Sequence, residues 1–332
     1  MRYLVLAAIG ALASILANRG IAVFNDGFRP IVPQFYDGQI SRKELATMSF
    51  AISFGLVIGF AIPTSIAASI ILIHCILLTT DIIGTFCPDS LVGTVIAGVV
   101  GAAYGVAILL GLESIVNLFG SLPFNFLANL GSVSSFVTAA FAIFPSVAVG
   151  YQHGFKKGAI AGLITLVVYL LTVKFGKFAL GDAKVALNGF GMAMLAGMVC
   201  LLAFATGVKG TGDANSSLVT TFGDKVKRIR ANWWLLAIMG GLVAMATSLG
   251  IVAGDPISLG LVSEGSWAEA AMVALARAIG FVPLVFTTAI VTGVYGPAGS
   301  TFVFVVGLLL HGNPFVAVIV GAVVMVVELA LI

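Results

Sequence analysis

The sequence predicts an all-α polytopic membrane protein, a transmembrane helix bundle of about ten membrane segments. Two observations carry that prediction. Of 332 residues, 60% are hydrophobic and only 9% are charged, against roughly 25% charged in a soluble domain. The apolar residues also fall in runs near the ~20 residues that cross a bilayer. No soluble core absorbs so much apolar material, whereas lipid removes the need for a polar exterior. The net charge of +3 gives no reason to expect nucleic acid. Cys75, Cys87 and Cys200 sit in apolar context without C-x-x-C spacing, which reads as packing.

The chain opens "MRYLVLAAIGALAS", which has the outline of a signal peptide but is read as a retained first span. Spans are expected near 3–17, 91–112, 132–150, 158–175, 189–208, 233–252, 268–292 and 313–332. The stretch 47–79 is too long for one span and carries Pro63 at its middle. Splitting it there gathers Arg19, Arg29, Arg42, Lys43, Lys156, Lys157, Lys225, Lys227, Arg228 and Arg230 on one side, as the positive-inside bias requires. The N-terminus is then outside. A re-entrant hairpin around Pro63 is the alternative. "STFVFVVGLLLHG" is too short to span alone.

Gly207 to Arg230 is the one plainly solvated stretch, and its basic end anchors the span of Trp233 and Trp234. It divides the chain into a first membrane half (1–208), a cytoplasmic linker (209–231) and a second half (232–332). "IGFAIP" at 58–63 resembles "IGFVPL" at 279–284, and "TTDIIGT" at 79–85 resembles "TTAIVTG" at 287–293. A duplicated transporter with two related halves and broken helices would give such pairs. The last run ends without a basic or aromatic anchor, as an incomplete second half would.

Charged groups at membrane depth are functional hypotheses by default. Arg277, in "ALARAIGFVPL", suits a bidentate grip on a carboxylate or phosphate. The competing reading is an ion pair with Asp81, Asp26 or Glu113. Asp81, in "LLTTDIIG", either binds a coupling proton or sodium ion or caps a helix. In "FTTAIVTGVYGPAGS", the hydroxyls of Thr287, Thr288 and Tyr295 precede Gly296, Pro297 and Gly299. Such breaks line substrate sites in transporters, or simply make a turn. "NRGIAVFNDGFRPIVPQ" has the same grammar, with Asn25, Asp26 and Arg29 set between apolar anchors. It reads as a segment dipping into the membrane, or as an interfacial loop. Asn125 and Asn129 either meet a polar solute or cap a helix. No H-E-x-x-H, Ser-His-Asp or phosphate-loop pattern is present, so no enzyme, metal or cofactor is expected.

The opening segment "NRGIAVFNDGFRPIVPQFYDGQISRKELA" resembles the YhfT family of bacterial inner-membrane proteins. So do "LLTTDIIG", "SLPFNFLANLGSVSSFVTAAFAIFPSVAVGYQHGFKK" and "RAIGFVPLVFTTAIVTGVYGPAGSTFVFVV". The resemblance implies a transporter of a small polar metabolite, and a chain that continues past Glu328. It supplies no site residues.

The expectation is a secondary transporter in the inner membrane, moving a small polar, anionic metabolite. Asn25, Arg29, Arg277, Thr287, Thr288 and Tyr295 bind substrate, and Asp26 and Asp81 couple an ion. The rival is the membrane subunit of a phosphotransferase-like system, which needs a cytoplasmic partner subunit. Membrane lipids and a second copy of the chain complete the expected partners.

Overall fold

A computed structural model describes residues 1–122, 126–180, 183–206, 216–296 and 301–332. α1 (Arg2–Asn18) runs from the lower to the upper end of the bundle. Three contacts fix its top. Asn18 Nδ2 donates to the carbonyls of Gly84 and Pro88 at 2.9 and 3.2 Å, and Thr94 Oγ1 donates to Asn18 Oδ1 at 2.8 Å. Residues 19–28 then dip back into the protein. A 3₁₀ turn (Arg29–Ile31) and α2 (Val32–Tyr36) return the chain to the top.

α3 (Arg42–Leu56) starts with a capping box between Ser41 and Glu44, which satisfies two otherwise orphaned N–H groups. It descends through a π-helical segment, Val57–Ala61, into α4 (Ile62–Ala68). Pro63 lies in the first turn of α4, where a missing N–H is tolerated. The chain reverses at residues 69–73, with Ser69 in the left-handed region, and forms β1 (Ile71–Leu72). α5 (His74–Phe86) climbs back, and its end accepts hydrogen bonds from Arg42 on the Gly84 and Cys87 carbonyls. The split expected at Pro63 therefore falls later, at Ser69, because the π segment absorbs the proline.

α6 (Leu91–Gly120) descends against α1. A Cβ on Gly101 would overlap the Gly10 carbonyl and the Ser14 side chain, so these helices touch backbone to backbone. α7 (Phe126–His153), α8 (Phe155–Phe175) and α9 (Gly189–Thr206) pack on one another, with the hairpin of β2 (Lys177–Leu180) and β3 (Ala183–Ala186) between the last two. α10 (Ser216–Ala231) lies at the top, where Arg228 donates to the Gly20 carbonyl at 3.0 Å and stacks over Tyr36. The described part of the expected linker is thus helical.

α11 (Trp233–Ser248) is bent 60° from α10 and descends. β4 (Val252–Ala253) pairs in parallel with β1 at the lower end, Ile71 opposite Val252 and Leu72 opposite Ala253. α12 (Pro256–Ser263) follows, capped by Asp255, whose Oδ1 accepts the Ser258 N–H at 2.8 Å. α13 (Trp267–Thr292) rises, the chain reverses, and α14 (Thr301–Leu309) descends. Ser248 Oγ donates to the Leu310 carbonyl there. α15 (Pro314–Leu331) rises to the top, where Arg230 meets the Ala330 carbonyl.

Among the described residues, four helices are long and apolar enough to cross a membrane: Arg42–Ala68, Leu91–Gly120, Phe155–Phe175 and Pro314–Leu331. The bent pair of α10 and α11 makes five. Leu163, Leu166 and Leu170 on α8, and Ile319, Val323 and Val327 on α15, are exposed, as lipid-facing residues are. The expected total of about ten is not reached by this measure. α1 and α5 are shorter apolar helices, while α7 and α13, of 28 and 26 residues, include side chains outside the described residues and are not in that count. The internal matches also diverge: "TTDIIGT" lies after the reversal at 69–73, whereas "TTAIVTG" lies before the break that ends α13.

Candidate functional site

The dipping segment 19–28 is held by three partners. Val23 N–H donates to the Tyr295 carbonyl and Tyr295 N–H to the Ile21 carbonyl, each at 3.0 Å, forming a parallel bridge between Ala22 and Tyr295. The Asp81 carboxylate, at the middle of α5, accepts the Phe24 N–H at 2.9 Å and the Asn25 N–H at 2.7 Å. Asn25 Nδ2 donates to Ser53 Oγ at 3.0 Å, and Asn25 Oδ1 accepts the Gly27 N–H at 3.0 Å. Irregular backbone at membrane depth persists only where its polar groups are satisfied in this way.

These restraints aim Arg29. Its Nη1 donates to Thr288 Oγ1 on α13 at 2.6 Å, and its Nη2 pairs with the Asp26 carboxylate. The guanidinium lies against Gly296, where any Cβ would overlap it. Arg29 is buried, and its Nε has no hydrogen-bond partner among the described residues. The Asp26 side chain is 63% exposed. A cavity of about 250 Å³ opens beside them, lined by Asp26, Arg29, Gln152, Phe281, Thr288 and Thr292 among others. It combines one buried cation with hydroxyl, amide and aromatic surface, as a site for a small anionic solute requires.

Behind the cavity, the Tyr295 hydroxyl donates to Glu328 Oε2 on α15 at 3.1 Å. Glu328 is buried, and its Oε1 has no hydrogen-bond partner among the described residues. Tyr295 is thus a strut between the dipping segment and α15.

Of the residues singled out in the sequence, Asn25, Asp26, Arg29, Asp81, Thr288 and Tyr295 converge here. Arg277 does not join them. It lies at the lower crossing, donating through Nη1 to the Gly254 carbonyl at 2.5 Å and pairing with Asp255 at 3.3 Å. Asp255, not Asp81, Asp26 or Glu113, is its ion-pair partner, while Glu113 accepts from Tyr3. Asp81 is mid-helix and so caps no helix; it anchors a neighbouring backbone instead. The Thr287 and Asn129 side chains, and Asn125, Pro297, Gly299 and Ser300, lie outside the described residues.

Sequence reasoning passed over Asp255, Ser53 and Gln152. Asp255 was findable, because Asp followed by Pro is a helix-start signature. Ser53 and Gln152 gave no local signal. Among the described residues, no three His, Cys, Asp or Glu side chains are grouped to hold a metal ion.

A profile of the YhfT family, described as a protein of unknown function, matches residues 2–332. The chain is 35% identical over 347 aligned residues to the uncharacterized protein YhfT of Escherichia coli (strain K12). That alignment covers 100% of this chain and 77% of the relative. No solved structure matches.

Proposed function

Since the chain belongs to the YhfT family, whose description assigns no activity, we propose from its geometry that it is a secondary transporter. In this reading it moves a small polar, anionic metabolite across the bacterial inner membrane by alternating access. The observation that carries the reading is a reciprocal pairing of two dips and two reversals. The dip after α1 pairs with the break after α13, through Ala22 and Tyr295. The dip after α11 pairs with the break after α4, through Val252 and Ile71.

Other contacts repeat in the same register. Asn18 reaches the carbonyls at the end of α5, as Ser248 reaches that at the end of α14. A Cβ on Gly84 would meet Ser14 and Ala17; one on Gly307 would meet Ala244 and Thr247. Gly101 abuts Gly10, and Gly321 abuts Gly240. Asn25 bonds Ser53 where Asp255 bonds Arg277. α1 rises while α11 descends, so the two halves carry opposite topology. Inverted repeats with broken helices at their interface are a transporter architecture.

The substrate sits in the cavity at Arg29. An incoming carboxylate takes the place of Asp26, whose exposed side chain is free to swing away. Asp81 has both oxygens engaged with backbone, whereas Asp26 is an exposed carboxylate at the cavity and is the one assigned here to receive a coupling cation. Arg19, Arg42, Lys156, Lys157, Lys225 and Arg228 gather at the upper end, which supports reading it as the cytoplasmic face.

The test is gradient-driven uptake by the purified full-length protein in vesicles, using carboxylates first selected by thermal shift. Uptake driven by an ion gradient alone, lost in Arg29→Lys at normal yield of folded protein, supports the reading. Uptake that strictly needs a phosphoryl-donor protein sinks it and restores the phosphotransferase-subunit alternative.

A further inference from the structure

We infer that Arg277 forms a second carboxylate-binding site, separate from the cavity at Arg29. A guanidinium has one edge, Nε–H with Nη2–H, that matches both oxygens of a carboxylate. At Arg277 that edge is unengaged: Nε and Nη2 are buried and have no hydrogen-bond partner among the described residues. The opposite side is fixed, since Nη1 is held by the Gly254 carbonyl and by Asp255. Phe304 lies under the cation, 5.4 Å from ring centroid to Cζ. Gly254 lets the guanidinium pack against its backbone, as a Cβ there would stand 2.5 Å from Nη2.

Burying an arginine with two donors unmet is costly, and a structural ion pair with Asp255 would have used the fork edge. At the upper crossing the counterpart pair, Asn25 with Ser53, is neutral and its amide is satisfied on both sides. The lower crossing is the one built for charge. His74, the first residue of α5, is within electrostatic reach of Arg277 and Asp255. Its buried Nδ1 is also without a partner among the described residues.

A cavity of about 330 Å³ at the lower face, lined by Arg2, Ser69, Ile70, Glu113, Asn117 and Gly250 among others, adjoins the entry to β1 and β4; Arg277 is buried and does not line it, so an anion reaches the guanidinium only when this end of the bundle opens. Arg277 and Thr288 are eleven residues apart on one continuous helix, hence about 16 Å at 1.5 Å per residue. One small metabolite cannot bridge that distance, so the two arginines are two sites. Under the transporter reading, on which this role rests, they are successive stations reached from opposite faces.

Acetate is the probe. Thermal unfolding of the full-length protein in nanodiscs of zwitterionic lipid is followed while acetate replaces chloride at constant ionic strength. The site predicts a saturable rise in unfolding temperature for the wild type and for Arg29→Lys. In the Arg29→Lys background it predicts loss of that rise on adding Arg277→Lys, which keeps the charge but not the fork, or Gly254→Ala, which crowds Nη2. A wild type without an acetate-specific rise, or a rise in Arg29→Lys that Arg277→Lys leaves unchanged, overturns the inference. Loss of the whole rise in Arg29→Lys alone places acetate in the upper cavity and equally overturns it. Failure of gradient-driven uptake with these acetate results intact removes the transporter reading and leaves the site standing.

Discussion

Replacing Asp81 separates two roles for a buried carboxylate, an ion carrier and an anchor for the dipping segment. Its oxygens accept the Phe24 and Asn25 N–H groups at 2.7 to 3.0 Å. Hydrogen bonds to a charged acceptor contribute about 1.5–3 kcal/mol, and neutral ones about 0.5–1.5 kcal/mol. Asp81→Asn keeps the shape but loses the charge at two bonds, which predicts destabilisation of about 2–3 kcal/mol. Asp81→Ala strands both N–H groups at membrane depth, and the loss grows to about 4 kcal/mol. The assay is reversible unfolding of the purified protein in mixed micelles, repeated with and without sodium. An anchor predicts the same loss in both conditions. Wild-type stability in Asp81→Asn, or a loss that appears only with sodium present, would refute the anchoring argument.

Further outcomes follow from the same contacts. Gly296→Ala drives a methyl group into the Arg29 guanidinium, so it costs about 1–3 kcal/mol and abolishes carboxylate-driven uptake in vesicles. Asn18→Ala removes one donor from the Gly84, Cys87 and Pro88 carbonyls, the first two of which keep Arg42; unfolding in mixed micelles becomes easier by about 1 kcal/mol. Ser53→Ala removes one hydrogen bond from Asn25, lowers stability by about 1 kcal/mol, and leaves the acetate response at Arg277 unchanged.

The membrane class and most helices were legible because they depend on composition and run length, which are local. "NRGIAVFNDGFRPIVPQ" was legible as a broken segment for the same reason: apolar anchors alternating with breakers leave few other fates at membrane depth. The turn after α4 was misplaced because Pro63 looked decisive, yet the helical run Arg42–Ala68 continues through it, with a π-helical segment directly before the proline. The true reversal, at Ser69, lies in an unremarkable "AASIIL". Partners were not legible at all. Nothing near Arg277 in sequence distinguishes Asp255 from Asp81. Only the pairing of β1 with β4 brings the Gly254–Asp255 corner beside α13. The proposed repeat has little trace in the sequence, since it rests on a matching register of backbone contacts, met by different side chains such as Asn18 and Ser248.

The central claim is that the two dips enter from opposite faces of the membrane. Exposed Asp37, just beyond the first dip, and exposed Glu264, just beyond the second, report on it directly. Each is replaced by cysteine in a background with Cys75, Cys87 and Cys200 changed to alanine. A membrane-impermeant maleimide is then applied to intact cells and to inside-out vesicles. Opposed dips predict that Glu264→Cys labels only in cells and Asp37→Cys only in vesicles. Labelling of both positions from the same side would contradict the inverted architecture and the alternating-access reading built on it.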